Sequence, residues 1–495
     1  MTTSPGLDPA LAVRTPLRLL PDPRRVITKL FIPGEERPEH DSRSAVVIRR
    51  VLAMDEQTVT ETLLRTTRLF AGRHPRLAET FAEHFDIVSH RLDKRLDVSA
   101  QRRQLIGAYF THEYAVEAAA LCNPSMVAHP DQSGLADGEL RFVLSVRGIG
   151  EGHLSSIGFR TGVIGADGQP RIDPPRRFLT VGRSRPPAYE RALFDGKLLD
   201  FGHDDEIRVV LRRRLPERFT TAELDDVLDE LHPRLVSRPS AYRTIEQIRW
   251  IAANNYVTEF PDDRSLSERV LWPTGPAECQ GMEDARFTRF VHDDGTAAYY
   301  ATYTAFDGDE VTPQLLHTKD FRTFNVSQMT GTAARNKGMA LFPRRVGGRF
   351  VALSRGDAES TSIVTSQNIQ TWQDPHTLQA PARDWELVQV GNCGSPIETE
   401  HGWLVLTHGV GPMRVYSIGA MLLDLDNPER VLAALPEPLL SADATERDGY
   451  VPNVVYSCGG LLHRDTVVIP YGASDATIAV ATVALPELLD RMRRA

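Results

Sequence analysis

The feature that most constrains the fold of this chain is a recurring pattern of a turn followed by a strand. Five copies are present: ELRFVLSVRG (139–148), TAAYYATYTA (296–305), GGRFVALSRG (347–356), HGWLVLTHGV (401–410) and RDTVVIPYGA (464–473). Short apolar runs that follow turn residues are typical of β-strands. Four of the five strands end at a polar side chain, and these are Arg147, Arg355, His408 and Tyr471.

The spacing of the copies predicts how the strands are organised. The matching segments LLHTKDFRTF (315–324) and SIVTSQNIQTW (362–372) lie about 48 residues apart, and a period of about 40–50 residues with several strands per unit is typical of a β-propeller. Five copies predict a mainly β fold, a five-bladed β-propeller whose strand-end polar residues converge on its axis. A β-sandwich with accidental similarity between its strands is the alternative.

Helical sequence precedes the predicted propeller. Residues 55–120 contain few Gly or Pro and show helical periodicity, which predicts an N-terminal helical extension over residues 1–120. The last of these helices is predicted within SAQRRQLIGAYFTHEYAVEAAAL (99–121), with Ser99 as its cap.

The remaining chain, residues 121–483, is predicted to form the five-bladed β-propeller domain. Two helical patterns, TTAELDDVLDELHPRL and SAYRTIEQIRWIAANNY, interrupt it and predict a helical insertion at about 218–256. The segment ALPELLDRMRRA (484–495) predicts a closing C-terminal helix.

Charge and cysteine usage narrow the classes of function. The formal net charge of −9 gives no basic patch for nucleic acid, and no apolar run approaches the roughly 20 residues that a membrane-spanning helix needs. The N-terminus does not resemble a secretion signal. The four cysteines are far apart, which argues against a disulfide framework or a zinc site and favours a reducing cytoplasm.

The segment GMEDARFTRF (281–290) carries the strongest candidate chemistry. It places Glu283, Asp284 and Arg286 directly before a strand, which alone is also compatible with a solvated loop. Basic and polar residues recur in later segments that precede or end strands, namely Lys337, His408, Tyr471 and Asp475. One acid among such groups has a physical use, because a carboxyl can protonate a leaving oxygen while cations bind an anionic nucleophile.

The chain resembles glycoside hydrolase family 130, the inverting β-mannoside phosphorylases and their hydrolytic relatives. The matching segments are NPSMV, GMEDARFTRF, YYATYTAFDG, NKGMALFPRR, GRFVALSR, GNCGSPIETEHGWLVLTHGV, IGAMLLDLDNPERVLAALPEPLL and YVPNVVYSCGG with VVIPYGASD. They extend over about residues 122–480 in the order of the family, whose fold is a five-bladed propeller. This chain departs from the family's usual Glu-Asp-Pro-Arg at Ala285. Its N-terminal helices and insertion exceed the compact members.

The resemblance implies roles for individual residues. It makes Asp284 the general acid and places Arg286 against the sugar or the anion. The remaining positions divide into a sugar-binding group (Asn123, Arg147 and Asp475) and a phosphate-binding group (Lys337, Arg355, His408 and Tyr471). Structural roles are the alternatives: the arginines could pair with buried acids, His408 could be a core histidine, and Asp475 could cap a turn.

The implied reaction is inverting phosphorolysis of β-mannosides, which gives α-mannose 1-phosphate and a shortened acceptor. Inorganic phosphate is then a co-substrate, an oligosaccharide is the partner, and no cofactor or metal is expected. An inverting β-mannosidase is the first alternative, and a non-catalytic glycan-binding propeller is the second. The linkage, the acceptor sugar, and whether the chain forms a homo-oligomer stay open from the sequence.

Overall fold

The computed structural model describes residues 11–34, 42–92, 97–176, 178–203, 206–235 and 239–493. The chain divides into two compact units. The smaller comprises Asp22–Ala118 and Arg176–Thr180, and the larger comprises Met1–Pro21, Ala119–Pro175 and Val181–Ala495. The functional candidates all belong to the larger unit.

The strands of the described residues are, in chain order, β1 (Val13–Leu19), β2 (Val26–Leu30), β3 (Thr111–Ala115), β4 (Ala120–Ala128), β5 (Leu140–Ile149), β6 (Ser155–Ile164), β7 (Pro170–Ile172), β8 (Thr180–Val181), β9 (Arg183–Arg185), β10 (Tyr189–Glu190), β11 (Arg218–Phe219), β12 (Tyr256–Glu259), β13 (Arg269–Leu271), β14 (Gly281–Val291), β15 (Ala297–Phe306), β16 (Val311–Thr318), β17 (Thr323–Gln328), β18 (Ala340–Leu341), β19 (Phe350–Ser354), β20 (Thr361–Ser366), β21 (His376–Gln379), β22 (Gln389–Asn392), β23 (Ile397–Thr399), β24 (Gly402–Val410), β25 (Tyr416–Leu423), β26 (Val431–Ala434), β27 (Leu440–Ser441), β28 (Val455–Tyr456), β29 (Leu461–His463), β30 (Thr466–Ala473) and β31 (Thr477–Ala484). The α-helices are α1 (Arg43–Leu52), α2 (Glu56–Phe70), α3 (Leu77–Val88), α4 (Ala100–Tyr109), α5 (Arg191–Asp200), α6 (Glu206–Arg214), α7 (Thr221–Leu235), α8 (Pro239–Ala253) and α9 (Leu485–Arg493). The fold is therefore mainly β, as the sequence predicts. None of the described helices is both long and apolar enough to cross a membrane.

The smaller unit combines helices α1–α4 with the antiparallel pair β2–β3. Its apolar core includes Ile48, Val59, Phe85, Leu105 and Phe110. Ser99 caps α4 by accepting a hydrogen bond from the backbone N–H of Arg102, which confirms the predicted cap. The helix itself was predicted too long.

Helix α4 ends at Tyr109, and the chain continues as strands β3 and β4 instead of extending the helix to residue 121. The segment after Tyr109 contains Thr111, Tyr114 and Val116, whose branched or aromatic side chains favour extended backbone. Tertiary pairing with β2 and β5 satisfies its backbone groups.

The larger unit is built from successive groups of antiparallel strands. These are β4–β7, β14–β17, β18–β21, β22–β27, and β28–β31 with β1. A parallel contact between Gly281 and Ser155 joins the first two groups into one sheet. In the last group, β1 from the start of the chain pairs with β31 near its end. Buried apolar side chains fill the space between neighbouring groups.

A helical insertion, α5–α8, lies between the first and second strand groups. Two of its helices, α7 and α8, fall on the two predicted segments, and α5 and α6 precede them. The insertion has a core of its own that includes Phe194, Leu198, Leu211, Leu228 and Ile248. The closing helix α9 packs Leu488, Leu489 and Met492 against the last strand group.

Candidate active site

Two β-bulges place polar side chains at the centre of the site. Between Glu283 and Arg286, two residues of β14 face one residue of β15, and Asp284 takes a positive φ of 53° within this bulge. The pairing of β4 with β5 is shifted in the same way after Cys122, and Asn123 has a φ of 46°. A bulge redirects a side chain, and positive φ in a residue other than Gly is a form of strain that concentrates at functional sites.

Arg286 holds the Asp284 carboxylate and backbone together. Its Nη1 donates to the Asp284 carbonyl (2.9 Å), and its Nη2 lies 3.4 Å from Asp284 Oδ2. The same guanidinium donates from Nε to the Cys393 carbonyl (3.1 Å) and from Nη2 to the Tyr456 hydroxyl (2.8 Å). Arg286 is 1% exposed, so these partners fix it in one orientation beside the acid.

Glu283 forms ion pairs through both of its carboxylate oxygens. Arg147 Nη2 lies 2.6 Å from Oε1, and Lys337 Nζ lies 2.6 Å from Oε2. Arg147 also reaches Asp284 at 3.8 Å and donates to Asn123 Oδ1 at 3.4 Å. Three strand groups therefore contribute side chains to one connected cluster around Asp284.

Arg355 and His408 form a second, adjoining pair. Arg355 Nη1 is 3.2 Å from His408 Nε2, and both side chains are buried. The absence of a side chain at Gly391 allows this packing, because a Cβ there would lie 2.5 Å from the His408 ring. Burial, with Arg355 and Arg286 nearby, holds the pKa of His408 well below its usual value, so the imidazole is neutral.

Tyr456 joins the two halves of the site, and sequence reasoning missed it. Its hydroxyl accepts the Arg286 hydrogen bond, and its ring centroid lies 4.8 Å from that of His408. The residue lies in the segment YVPNVVYSCGG, whose tyrosines carry no signal that separates a site residue from a core residue. Sequence reasoning also gave Glu283 no role, although this acid directly precedes Asp284.

Tyr471 lies elsewhere. It is fully buried in the apolar core between the last two strand groups, and its hydroxyl donates to Glu446 Oε1 at 2.6 Å. Glu446 also pairs with Arg14 and Arg18 of β1. The described hydrogen bond of Tyr471 is therefore made to Glu446, and its described contacts do not include Lys337, Arg355 or His408.

This placement predicts the behaviour of a Tyr471→Phe variant. We expect a loss of about 1–2 kcal/mol in the free energy of unfolding, because Glu446 loses one charged hydrogen bond while keeping its arginines. We expect the KM for phosphate to stay within twofold of the unmodified protein. Urea unfolding and phosphate saturation kinetics measure the two quantities. A large rise in the KM for phosphate with unchanged stability would show that Tyr471 takes part in phosphate binding.

Asp475 follows β30 in the turn to β31, with a φ of 46°. Burial raises the pKa of its carboxyl to about 6; the nearby Arg147 opposes this rise and Asp284 reinforces it. The backbone N–H of Leu121 in β4 donates to the Ala476 carbonyl at 3.1 Å, so the turn that contains Asp475 lies beside the segment that contains Asn123. All the sugar-binding positions implied by the resemblance thus belong to one region.

The raised pKa of Asp475 gives stability a specific pH dependence. An unfolded aspartate titrates near 3.9, so between about pH 4 and 6 the folded chain binds more protons, and its stability falls as pH rises. The amide of an Asp475→Asn variant cannot ionise. We therefore expect this variant to gain about 1–3 kcal/mol relative to the unmodified protein between pH 4.5 and pH 7.

Urea unfolding of both proteins at the two pH values measures the difference. The exposed turn residue Asp426 provides a matched control, as Asp426→Asn. If the two aspartate variants respond identically to pH, the raised pKa of Asp475 is refuted.

Within the described residues, no group of three or more His, Cys, Asp or Glu side chains is arranged to hold a metal ion. The four cysteines are unpaired, and Cys122, Cys393 and Cys458 are buried. What the described site offers is one buried carboxyl, a second carboxylate held by two cations, and an adjoining Arg–His pair.

Comparison with known proteins identifies relatives of the larger unit. The family model of glycoside hydrolase family 130, described as beta-1,4-mannooligosaccharide phosphorylase, matches residues 262–494. A 1,2-beta-oligomannan phosphorylase from Thermoanaerobacter sp. is 33% identical over 228 residues, which cover 45% of this chain and 75% of the relative. A beta-1,2-mannobiose phosphorylase from Listeria innocua is 31% identical over 236 residues, which cover 46% of this chain and 65% of the relative.

Other relatives show the same kind of match. A beta-1,4-mannooligosaccharide phosphorylase from Ruminococcus albus is 31% identical over 207 residues, which cover 39% of this chain and 62% of the relative. Among solved structures, the beta-1,2-mannobiose phosphorylase of Listeria innocua aligns with a TM-score of 0.45 and 22% identity, covering 77% of this chain and 94% of that one. The family match begins after the helical insertion, so α5–α8 lie outside it.

Proposed function

Because the chain belongs to glycoside hydrolase family 130, we propose that it is an inverting β-mannoside phosphorylase. In this reaction inorganic phosphate displaces the acceptor from a β-mannoside, giving α-mannose 1-phosphate and a shortened saccharide. Relatives that act on β-1,2 and on β-1,4 linkages match to a similar extent, so the proposal covers β-manno-oligosaccharides as a class.

The observation that carries this proposal is the charge arrangement around Asp284. Asp284 is 8% exposed, and the cations of Arg286, Lys337, Arg147 and Arg355 act on its carboxyl group. A pocket that uses phosphate must supply several cations, because phosphate carries between one and two negative charges at neutral pH. Asp284 as the general acid also matches the chemistry, since phosphate is already charged and needs no carboxylate base.

In the proposed step, Asp284 protonates the glycosidic oxygen as its bond to the mannosyl C1 breaks. A phosphate oxygen attacks C1 from the opposite face, so the β-mannoside becomes an α-phosphate, and the acceptor leaves as an alcohol that carries the proton. Arg286 fixes the carboxylate for this transfer. Arg147, Asn123 and Asp475 are assigned to the mannosyl unit.

Phosphate binding would also raise the pKa of the Asp284 carboxyl group. Burial alone would raise the pKa of Asp284, but Arg286, Lys337, Arg147 and Arg355 outweigh burial and lower it below the usual value. An acid catalyst must carry its proton when the substrate is bound. A phosphate anion at Lys337 and Arg355 offsets two of these cations, and the pKa of Asp284 then rises toward the range in which it can donate.

The Arg355–His408 pair is the core of the proposed phosphate site, with Lys337 beside it. Arg355 Nε is buried and has no hydrogen-bond partner among the described residues, so the guanidinium keeps donor capacity. About a third of the Lys337 side chain is exposed, which leaves its ammonium open to an incoming anion. A guanidinium can bind phosphate through two parallel hydrogen bonds, whereas Lys acts as a point charge.

An inverting β-mannosidase is the second candidate, and one observation favours it. Hydrolysis needs a carboxylate base for water, with about 6.5–9.5 Å between the two carboxyl groups. Glu283 is unsuited because Arg147 and Lys337 hold its two oxygens. Asp475, whose pKa burial raises to about 6, has the basicity that such a role requires. Lys337 in the Asp284 cluster and the adjoining Arg355–His408 pair favour the phosphorylase, because together they supply cations for phosphate.

We extend the proposal to the architecture and the compartment. Five consecutive groups of antiparallel strands support a five-bladed propeller, with the Asp284 cluster and the adjoining Arg355–His408 pair at its centre, because all five groups contribute side chains to them. A cytoplasmic location suits the reaction, since a sugar phosphate made outside the cell would be lost.

The reverse reaction tests the proposed function. Protein incubated with α-mannose 1-phosphate and mannose is expected to release inorganic phosphate and to form a β-mannobiose, whose linkage identifies the acceptor hydroxyl. An inverting β-mannosidase would leave this α-configured phosphate intact, and would instead hydrolyse added β-mannobiose to mannose without phosphate. A non-catalytic glycan-binding protein would catalyse neither reaction.

A further inference from the structure

The helical insertion and the strand group β14–β17 enclose a cavity of about 760 Å³. Its wall includes Phe201 after α5, Trp250 of α8, and Gln328 at the end of β17. This volume lies within the range of about 300–1,000 Å³ that is typical of small-molecule sites. The insertion therefore supplies one wall of this cavity.

The cavity adjoins the proposed active site. Glu283 pairs with Thr304 across β14 and β15, so the start of β14 and the hairpin after β15 lie at the same end of this sheet. The hairpin residues Asp307 and Glu310 line the cavity at that end. Asn336, which directly precedes Lys337, also lines it. Asn336 therefore belongs to the cavity wall, while the next residue, Lys337, contacts Glu283 in the cluster around Asp284.

The composition of the wall indicates a neutral, hydroxyl-rich ligand. Among the described residues of the wall, four carry a carboxyl group (Asp200, Glu246, Asp307 and Glu310) and one, Arg335, carries a guanidinium. Such a wall disfavours a second anion such as phosphate. Phe201 is 41% exposed, and together with Trp250 it offers aromatic faces on which the apolar face of a pyranose ring can pack.

Gln328, a residue of the cavity wall, has a side-chain oxygen without a partner among the described residues. Its side chain is 1% exposed, yet its Oε1 accepts no hydrogen bond from the described residues. A buried polar atom without a partner costs about 1–3 kcal/mol. If the side chain turned toward the cavity, this oxygen could accept a hydrogen bond from a bound hydroxyl group; the competing donor is Gln314, which faces Gln328 across β16 and β17 and also has unpartnered amide atoms. The wall is otherwise fixed, since Asp200 accepts hydrogen bonds from Thr330 Oγ1 at 2.7 Å and from Gln373 Nε2 at 3.3 Å.

We propose that this cavity is a saccharide subsite, in which Gln328, Phe201 and Trp250 bind sugar units of the acceptor beyond the mannosyl unit that is transferred. The proposal rests on the proposed function for the identity of the sugar, and it assigns to the insertion a preference for longer β-manno-oligosaccharides. Compact relatives without such helices would lack this wall.

Calorimetric titration tests the subsite without requiring turnover. β-Mannobiose, β-mannotriose and β-mannotetraose of the 1,2 and 1,4 series are titrated into the unmodified protein, Gln328→Met, Phe201→Ala and the control Tyr242→Ala. Tyr242 is an exposed aromatic residue of α8 outside the cavity wall. Gln328→Met keeps the length of the side chain and removes the unpaired acceptor, so the fold should be retained.

We expect affinity to rise about tenfold or more from dimer to tetramer in one series, as one or two new hydrogen bonds would provide. The ratio of the affinity for the tetramer to the affinity for the dimer should be at least fivefold smaller in Gln328→Met and Phe201→Ala. It should be unchanged in Tyr242→Ala. Affinity that is independent of chain length, or a rise that both cavity variants retain, would overturn the subsite. Phosphate-dependent turnover of mannobiose is measured in parallel: its absence with length-dependent binding intact would refute the proposed function and leave the subsite standing.

Discussion

Asp284→Asn is expected to lower kcat on unactivated β-mannobiose by roughly 10²–10⁴-fold, the usual contribution of a positioned general acid. An amide has nearly the shape of the carboxyl but cannot deliver a proton to the departing oxygen. The bulge and the Arg286 hydrogen bond to the Asp284 carbonyl do not depend on the carboxylate, so the fold should be retained. Steady-state kinetics at saturating phosphate, with thermal unfolding as a check on folding, measure the effect.

Two comparisons separate acid catalysis from a general loss of structure. Asp294→Asn changes an exposed aspartate in the turn that connects β14 to β15 and should leave kcat within twofold. An aryl β-mannoside with a good leaving group needs less protonation, so Asp284→Asn should lose much less activity on it than on mannobiose. Equal losses on both substrates would remove Asp284 from the role of acid.

Arg355→Ala and Lys337→Ala are each expected to raise the KM for phosphate by about ten- to a hundredfold. Each change removes charged hydrogen bonds worth about 1.5–3 kcal/mol to a bound anion. The KM for the mannoside should change much less. Arg355→Ala is the cleaner variant, because Lys337→Ala also removes a partner of Glu283.

The matched control for these variants is Arg349→Ala, which removes an exposed guanidinium just before the strand that leads to Arg355. It carries the same change in net charge, so any effect of overall charge on phosphate binding appears there as well. If Arg355→Ala and Arg349→Ala have the same KM for phosphate, the Arg355–His408 pair does not bind the anion.

The strands and much of the site could be predicted because their signals are local. Alternating apolar runs behind turn residues mark β5, β15, β19, β24 and β30, and all five form. Arg147, Arg355 and His408 lie in or next to these strands, close to their ends, and their roles in binding stay predictions. The closed five-bladed arrangement itself stays a prediction.

Tyr471, which the resemblance assigns to the phosphate site and the structure places in the core, shows where prediction from short motifs fails. Tyr471 and Tyr456 belong to the same strand group, and both are buried tyrosines with a polar partner. Which of them faces the site depends on the pairing of β28 with β30 and on the distant acid Glu446, which binds Tyr471. Neither fact is encoded in a short motif. The cavity beside the insertion is equally non-local, because residues more than 100 positions apart form its wall.

The measurement that tests the central claim most directly is the phosphate dependence of cleavage in water enriched in oxygen-18. Protein is incubated with the β-mannobioses, with and without inorganic phosphate, and the products are identified by NMR and mass spectrometry. We predict α-mannose 1-phosphate without label when phosphate is present, and negligible cleavage when it is absent. Free mannose that carries oxygen-18, formed at full rate without phosphate, would contradict the phosphorylase and establish water as the nucleophile.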